Sequence, residues 1–263
     1  MISRKLDQFY TNNDVARDMF VKTKSFVIES GIVFDKWLEP SAGSGAFYSL
    51  LPEDNRVGID IEPKFEGVIE SDFFDFDLGE TTYFTVGNPP FGKNSSLAVR
   101  FFNRCAKHSV GIAFIVPKTF KKDSVKNKLD MNFHLVYEED VSQDAFNRDG
   151  EIVHVPCVFQ IWLRTGELRE KSQKYETGDF SFVNKNDDDF DFYFQRVGVN
   201  AGRIKPKKSG ASDSSHIRVK VNKKGVLETL TLVDWDDIKH NTAGNPSISK
   251  NEMIKAYLET KGE

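Results

Sequence analysis

The stretch Val86-Gly87-Asn88-Pro89-Pro90-Phe91-Gly92 constrains this chain more than any other. The apolar run Tyr83-Phe84-Thr85-Val86 before it reads as a buried strand. Two consecutive prolines then fix φ and push the residue before each into an extended conformation. The Asn88 amide and its neighbouring carbonyls are therefore held rigidly at a strand end, with the flat ring of Phe91 beside them. A preorganised amide, a fixed carbonyl and an aromatic suit the gripping of a planar group that carries an NH2. A Pro-Pro turn that merely ends a core strand has the same local sequence, so the surroundings decide.

Those surroundings are a chain of 263 residues, enough for one large domain or one domain with a small appendage. Twenty-three phenylalanines supply material for a substantial core. The net charge of −4 hides a local bias. Nine Lys/Arg lie between Arg196 and Lys224 against one acid, Asp213, which suggests that a polyanion meets one part of the surface. Two cysteines, Cys105 and Cys157, sit in apolar segments and argue against a disulfide framework or a cysteine zinc site. The polar start Met-Ile-Ser-Arg-Lys-Leu-Asp lacks a signal peptide's apolar core, and no stretch reaches membrane-span length. The expectation is a cytoplasmic protein with no membrane partner.

Along the chain, Asn13 or Asp14 is expected to cap an amphipathic helix, with Phe9-Tyr10-Thr11 in the loop before it. A short strand ending in Glu39-Pro40 leads into the glycine-bearing turn Ser41-Ala42-Gly43-Ser44-Gly45, and Ala46 to Leu51 is expected to continue as a helix. Such a turn lets backbone approach a ligand, and a helix N-terminus would offer free N–H groups. Arg56 to Ile61 reads as a second strand. Its Asp60 stands 17 positions after Gly43, where α/β nucleotide sites hold ribose hydroxyls. A third short strand ends in Asp72-Phe73, an acid and an aromatic able to hold an adenine edge. Beyond the Asn-Pro-Pro turn come a helix over Ser96–Ala106, the buried strand Val110–Val116, and a loop on the same rim at Pro117-Lys118. Phe146 stands alone in the polar turn Asp144–Gly150, as a core plug or a stacking residue. From about Arg164 the texture becomes polar, and Ser249-Lys250-Asn251-Glu252 is a capping box before a last helix. The strand–helix alternation argues for a doubly wound, mostly parallel sheet, with every suspicious loop on its C-terminal edge.

In this order, Phe-Tyr-Thr, Glu-Pro-Ser-Ala-Gly-Ser-Gly, Gly-Ile-Asp-Ile, Ser-Asp-Phe and Gly-Asn-Pro-Pro-Phe-Gly resemble the S-adenosylmethionine-dependent amino methyltransferases. More closely, they resemble the adenine-N6 DNA methyltransferases whose cofactor motifs precede the catalytic one. The match spans roughly residues 7–163. It implies an α/β fold: a Rossmann-like doubly wound methyltransferase domain over 1–165, and a small basic α+β substrate-binding extension over 166–263. It implies further that Tyr10, Thr11, Glu39, Ala42, Gly43 and Gly45 surround the amino-acid end of S-adenosyl-L-methionine. Asp60 would take the ribose hydroxyls, Ile61 the adenine face, and Asp72 with Phe73 the adenine edge. Asn88, Pro89, Pro90 and Phe91 would form the catalytic tetrad, with Asn88 also meeting the cofactor. Phe91, Phe146, Lys118, Arg203, Lys205, Lys207 and Lys208 would meet the substrate.

The expected reaction is methyl transfer to the N6 of adenine in DNA, by base flipping and in-line attack, with no metal. Three alternatives stay open. RNA adenine-N6 methylation needs no flipping when the target is single-stranded. Protein glutamine-N5 methylation uses the same tetrad but does not call for the basic segment. A silent nucleic-acid-binding module is the fourth reading. The short C-terminal part leaves little room for a large sequence-reading domain.

Overall fold

The computed structural model describes residues 9–148, 150–242 and 244–262. The polar start through Gln8, and Asp149 of the Phe146 turn, lie outside them. The chain divides into two compact units, residues 1–171 and 172–263. The division falls six residues beyond the expected one because the chain stays tied down after its last sheet strand. Arg169 donates from Nε to the Phe133 carbonyl and from Nη2 to that of Lys126, at 3.1 and 2.8 Å.

The first unit is built on a seven-stranded sheet: β1 (Lys36–Glu39), β2 (Arg56–Asp60), β3 (Ile69–Glu70), β4 (Tyr83–Gly87), β5 (Ser109–Pro117), β6 (Phe133–Asp140) and β7 (Cys157–Arg164). Their spatial order is β3-β2-β1-β4-β5-β7-β6. Strands β1 to β5 run parallel, and β7 is antiparallel to both of its neighbours. This is a Rossmann-like doubly wound α/β sheet, as the strand–helix alternation implied. The strand order reverses between β1 and β4, so a crevice opens above their C-terminal ends.

Alternation along the strands assigns each side chain to a face. Trp37, Phe84, Val86, Ala113, Ile115, Phe159 and Ile161 form one core with Ala16, Met19, Phe20 and Val27 of α1 (Asn13–Ser30). Leu38, Ile59, Ile112, Phe114, Val116, Val158 and Trp162 form the other with Ala98, Phe101, Phe102 and Cys105 of α2 (Ser96–Cys105). Each large side chain buried this way contributes about 1.5–3 kcal/mol of transfer free energy. The cap of α1 is Asn12 rather than Asn13 or Asp14. Its backbone is extended, its N–H is bonded to the Ala145 carbonyl, and its Oδ1 accepts from Asp14 N at 3.0 Å.

The helix expected over Ala46–Leu51 does not form. Tyr48–Leu50 makes one 3-10 turn and Leu51 is already extended, the conformation that the following Pro52 favours. No helix N-terminus therefore faces the crevice from the glycine turn. Lys118–Lys121 is also a 3-10 turn, followed by the short α3 (Asp123–Lys126). A small separate ladder pairs Tyr10–Thr11 with Phe146–Arg148, and that strand with Glu151–Val153.

The second unit is α+β. Antiparallel strands β8 (Phe180–Val183), β9 (Phe192–Gln195), β10 (Ile204–Pro206) and β11 (His216–Val221) stand in the order β8-β11-β9-β10. One face packs Phe180, Phe192, Phe194 and Val219 against Val226 and Leu230 of α4 (Val226–Leu232), Trp235 of α5 (Trp235–Lys239), and Met253 and Tyr257 of α6 (Lys250–Lys261). The Ser249/Glu252 capping box at α6 is formed on both sides.

The β4–β5 contact gives a direct test of the packing. A Cβ added at Gly111 would lie 2.2 Å from the Phe84 ring, in a core where that ring has nowhere to go. Gly111→Ala is expected to destabilise the first unit by about 1–3 kcal/mol in urea or thermal unfolding. An unchanged midpoint would contradict the close approach.

Candidate active site

The Asn88 side chain stands at the C-terminal end of β4, at the reversal point of the sheet. Its Nδ2 donates to the carbonyl of Phe9 and to Oγ1 of Thr11, both at 3.1 Å. Its backbone carbonyl accepts from Ser41 Oγ at 3.2 Å. Its Oδ1 is buried and has no partner. An unsatisfied buried acceptor costs about 1–3 kcal/mol, so this oxygen is a position that a donor on a bound molecule would satisfy. Gly87 lets β4 run this close to its neighbour: its φ is 149°, and a Cβ there would lie 3.2 Å from Cγ of Glu39.

Around this amide lies a cavity of about 500 Å³, a volume typical of small-ligand sites. Its wall includes Tyr10, Thr11, Glu39, Ala42, Gly43, Asp60, Ile61, Asp72, Phe73 and Phe74. Glu39 ends β1 and Asp60 ends the neighbouring β2. Gly43 has φ 49°, and the Tyr10 ring sits where a Cβ would approach to 3.2 Å, so the turn presents bare backbone to the cavity. Its N–H donates to Asp60 Oδ2 at 2.7 Å, while Glu62 N donates to Oδ1 at 2.8 Å. These two bonds orient the Asp60 carboxylate and leave it further lone pairs for a ligand's hydroxyls. Asp72 is oriented likewise, Oδ1 accepting from Phe74 N at 2.8 Å, and Arg104 of α2 ties the loop down by donating to the Phe73 carbonyl at 2.8 Å.

Glu39 is 2 % exposed and its Oε2 has no partner. Desolvation by burial raises its carboxyl well above the usual range, against the pull of a backbone hydrogen bond from Tyr48 and with a smaller push from Asp60. This donor set fits S-adenosylmethionine, the cofactor that the motif order implies: the cavity wall carries a buried carboxyl, an orphaned amide oxygen, a carboxylate with lone pairs for hydroxyls, and an acid among aromatics.

Of the residues expected at the site, Tyr10, Thr11, Glu39, Ala42, Gly43, Asp60, Ile61, Asp72, Phe73, Asn88, Pro89, Pro90 and Phe91 all line this cavity. Gly45 does not: its Cα faces the Phe65 ring, 2.4 Å from where a Cβ would stand. Phe146 is fully buried, edge-on to Phe91 at 6.5 Å and to Phe9 at 6.4 Å, so it is a plug beneath the site rather than a stacking face. Lys118 is engaged with Asp140 at 2.6 Å and is absent from the cavity wall. Sequence reasoning passed over Phe9, Ser41, Phe74, Arg100 and Phe101, all on the wall. Arg100 and Arg104, one helical turn apart, lie over the Phe74 and Phe73 rings at 4.3 and 5.4 Å. That i,i+4 spacing after two consecutive phenylalanines was the available signal.

The basic segment of the second unit is less cationic than its sequence. Arg218 pairs with Asp213 at 3.1 Å, Lys207 with Asp188 and Lys223 with Asp179 at 3.4 Å each, and Lys220 with Asp189. The acids come mostly from outside the segment, and residues 172–263 together carry fifteen Lys/Arg against fourteen Asp/Glu. Lys207 is thus occupied, also lying 4.8 Å over the Phe190 ring. Among the described residues, Arg203, Lys205 and Lys208 form no ion pair.

No family model matches the sequence, and no curated protein does. Similar solved structures include a candidate RNA methyltransferase from Pyrococcus horikoshii, 14% identical over 60% of this chain and 87% of that one, with a TM-score of 0.47. Thermoplasma acidophilum protein 1320 is 17% identical over 63% and 94%, with a TM-score of 0.42. The 23S rRNA methyltransferase ErmE is 16% identical over 63% and 73%, with a TM-score of 0.42. The likeness is one of fold. The expected membership of the adenine-N6 DNA methyltransferases is corrected here. No family model or curated relative carries it, so it is not stated of this chain. The expectations of DNA methylation and DNA specificity fall with it.

Glu39 gives a pH test. Because its native carboxyl is raised, the folded chain keeps a proton that the unfolded chain releases, and stability is lost as pH climbs above the ordinary glutamate range. Glu39→Gln removes that titration. The variant should gain stability relative to the parent as pH rises from 5 to 8, read from thermal midpoints in parallel. A difference that does not vary with pH would mean that Glu39 is ionised in the fold.

Proposed function

We propose that this chain transfers a methyl group from S-adenosylmethionine to the exocyclic N6 of adenine in RNA. The observation that carries the reading is the Asn88 amide, its nitrogen anchored and its buried oxygen without a partner, at the switch point beside Phe91. An amino group is the donor that such an oxygen lacks. Asn88 Oδ1 and the Pro89 carbonyl would each accept from the adenine NH2, which favours a pyramidal nitrogen with its lone pair free for attack. Because Ser41 already occupies the Asn88 backbone carbonyl, that oxygen does not compete. Phe91 would pack against the base, and a base without an NH2 would leave Oδ1 unsatisfied and bind less well.

Tyr10, Glu39, Ala42 and Gly43 would hold the amino-acid end of the cofactor, Asp60 its ribose, and Ile61, Asp72 and Phe73 its adenine, while the Thr11 hydroxyl is engaged by Asn88 Nδ2. When bound, the cofactor supplies an activated sulfonium methyl, so the chain's own contribution is positioning and charge placement. Glu39 answers that charge: a cation beside the buried carboxyl favours its ionised form, lowering what burial has raised.

In this reading the acceptor is RNA, whose phosphates meet what the ion pairs of the second unit leave of the basic segment. An unpaired target base also needs no extrusion from a stack. Among the described residues of the basic segment, Arg196, Arg203, Lys205, Lys208 and Lys224 form no ion pair, and of these Arg203, Lys205 and Lys208 would meet phosphates.

The test is transfer of labelled methyl to single-stranded RNA, ribosomal RNA, duplex DNA and a protein extract, with Asn88→Ala alongside. The expected product is N6-methyladenosine in RNA, reduced about a hundredfold or more in the variant. Label in duplex DNA or on protein glutamine would overturn the substrate, and equal activity of Asn88→Ala would overturn the mechanism. Cofactor binding without transfer to any acceptor would leave a silent binding module.

A further inference from the structure

We infer that Thr11 is a positioning residue for the Asn88 amide, and that the segment Phe9-Tyr10-Thr11 serves the acceptor site as well as the cofactor pocket. The inference rests on the reading above. A carboxamide has two orientations that differ only in which atom faces which neighbour, and the neighbours decide. Here the deciding neighbour is a backbone carbonyl, Phe9 O, which only accepts, and the Thr11 hydroxyl takes the second hydrogen, both 3.1 Å from Nδ2. Rotating the amide by half a turn would set Oδ1 against the Phe9 carbonyl. Anchoring both hydrogens of Nδ2 is therefore what leaves Oδ1 to meet an incoming NH2.

The segment doing this is itself well held. Tyr10 and Thr11 are paired with Asn147 and Phe146, and Asn12 N is bonded to the Ala145 carbonyl. Tyr10 OH accepts from Lys64 Nζ at 2.7 Å, from the loop just beyond Asp60. Thr11 is 7 % exposed, so no solvent molecule replaces its hydroxyl without rearrangement. In an extended segment successive side chains point to opposite sides. Tyr10 packs on the Gly43 turn of the cofactor pocket, while the Phe9 carbonyl and Thr11 hydroxyl on either side of it face the acceptor amide. One short strand thus sets the two reactants' positions together.

Thr11→Val keeps the shape and β-branching and removes one of the two anchors, whereas Thr11→Ser keeps the hydroxyl. Thr11→Val is expected to lower kcat about tenfold or more, with the cofactor Kd and the KM of the RNA changed less than about threefold. Thr11→Ser should recover most of the rate. A readout independent of turnover is the Asn88 side-chain NH2 resonance in protein labelled with 15N at asparagine, identified by its loss in Asn88→Asp. Its two protons should exchange slowly with water in the parent and Thr11→Ser, and faster in Thr11→Val. Parental kcat and exchange in Thr11→Val would overturn the inference, and so would a rate loss matched by an equal loss of cofactor affinity. Neither result touches the proposed function, which fails instead if Asn88→Ala retains activity.

Discussion

The first unit is organised around one orientation of one side chain. Asn88 can present its amide oxygen to a ligand only because its nitrogen is already bonded to an obligate acceptor, the Phe9 carbonyl, and to Thr11. That requires a strand end, a rigid Pro-Pro turn after it, and a segment from the other end of the unit laid across it. The sheet supplies the first, the prolines the second, and the ladder between Tyr10–Thr11 and Phe146–Arg148 the third. Each of the two phenylalanines nearest the amide rests on Phe146, so the aromatic packing and the hydrogen bonding hold the same geometry.

A second constraint is the crevice itself. Reversal of strand order between β1 and β4 separates the loops above them, and the polar groups that gather there are not all satisfied. Glu39 has a carboxyl whose pKa burial raises well above the usual range, and Asn88 has a side-chain oxygen without a donor. Protein interiors rarely leave such groups alone, and two in one cavity mark a place where a polar ligand completes the structure. Asp60 and Asp72, by contrast, are oriented by backbone N–H groups and keep capacity in reserve.

Three expected substrate contacts meet a different setting in the structure, for one shared reason. Phe146, Lys118 and Lys207 were read from residue type and local setting, and each acquires a partner from a distant segment: Phe9 and Phe91, Asp140, and Asp188 with Phe190. A charge run in sequence is a net charge in space only if no acid folds beside it, and Asp179 and the Asp187–Asp191 turn do so here. The missing helix after the glycine turn is different. It was legible in the position of Pro52, whose effect on Leu51 is local.

Much of the sheet and about half of the cavity wall could be read from the chain alone. The motifs there are short, contiguous, and placed at strand ends whose apolar runs and glycine or proline stops are local signals. Sequence determined that an amide, two acids and a glycine turn would share one edge of a parallel sheet. Only the tertiary structure decided which way the amide points, which carboxyl burial disfavours in its charged form, and which cations remain uncompensated. Those properties depend on desolvation and on partners far away in the chain, such as Asn88 with Thr11 and Lys220 with Asp189, and no local pattern encodes them.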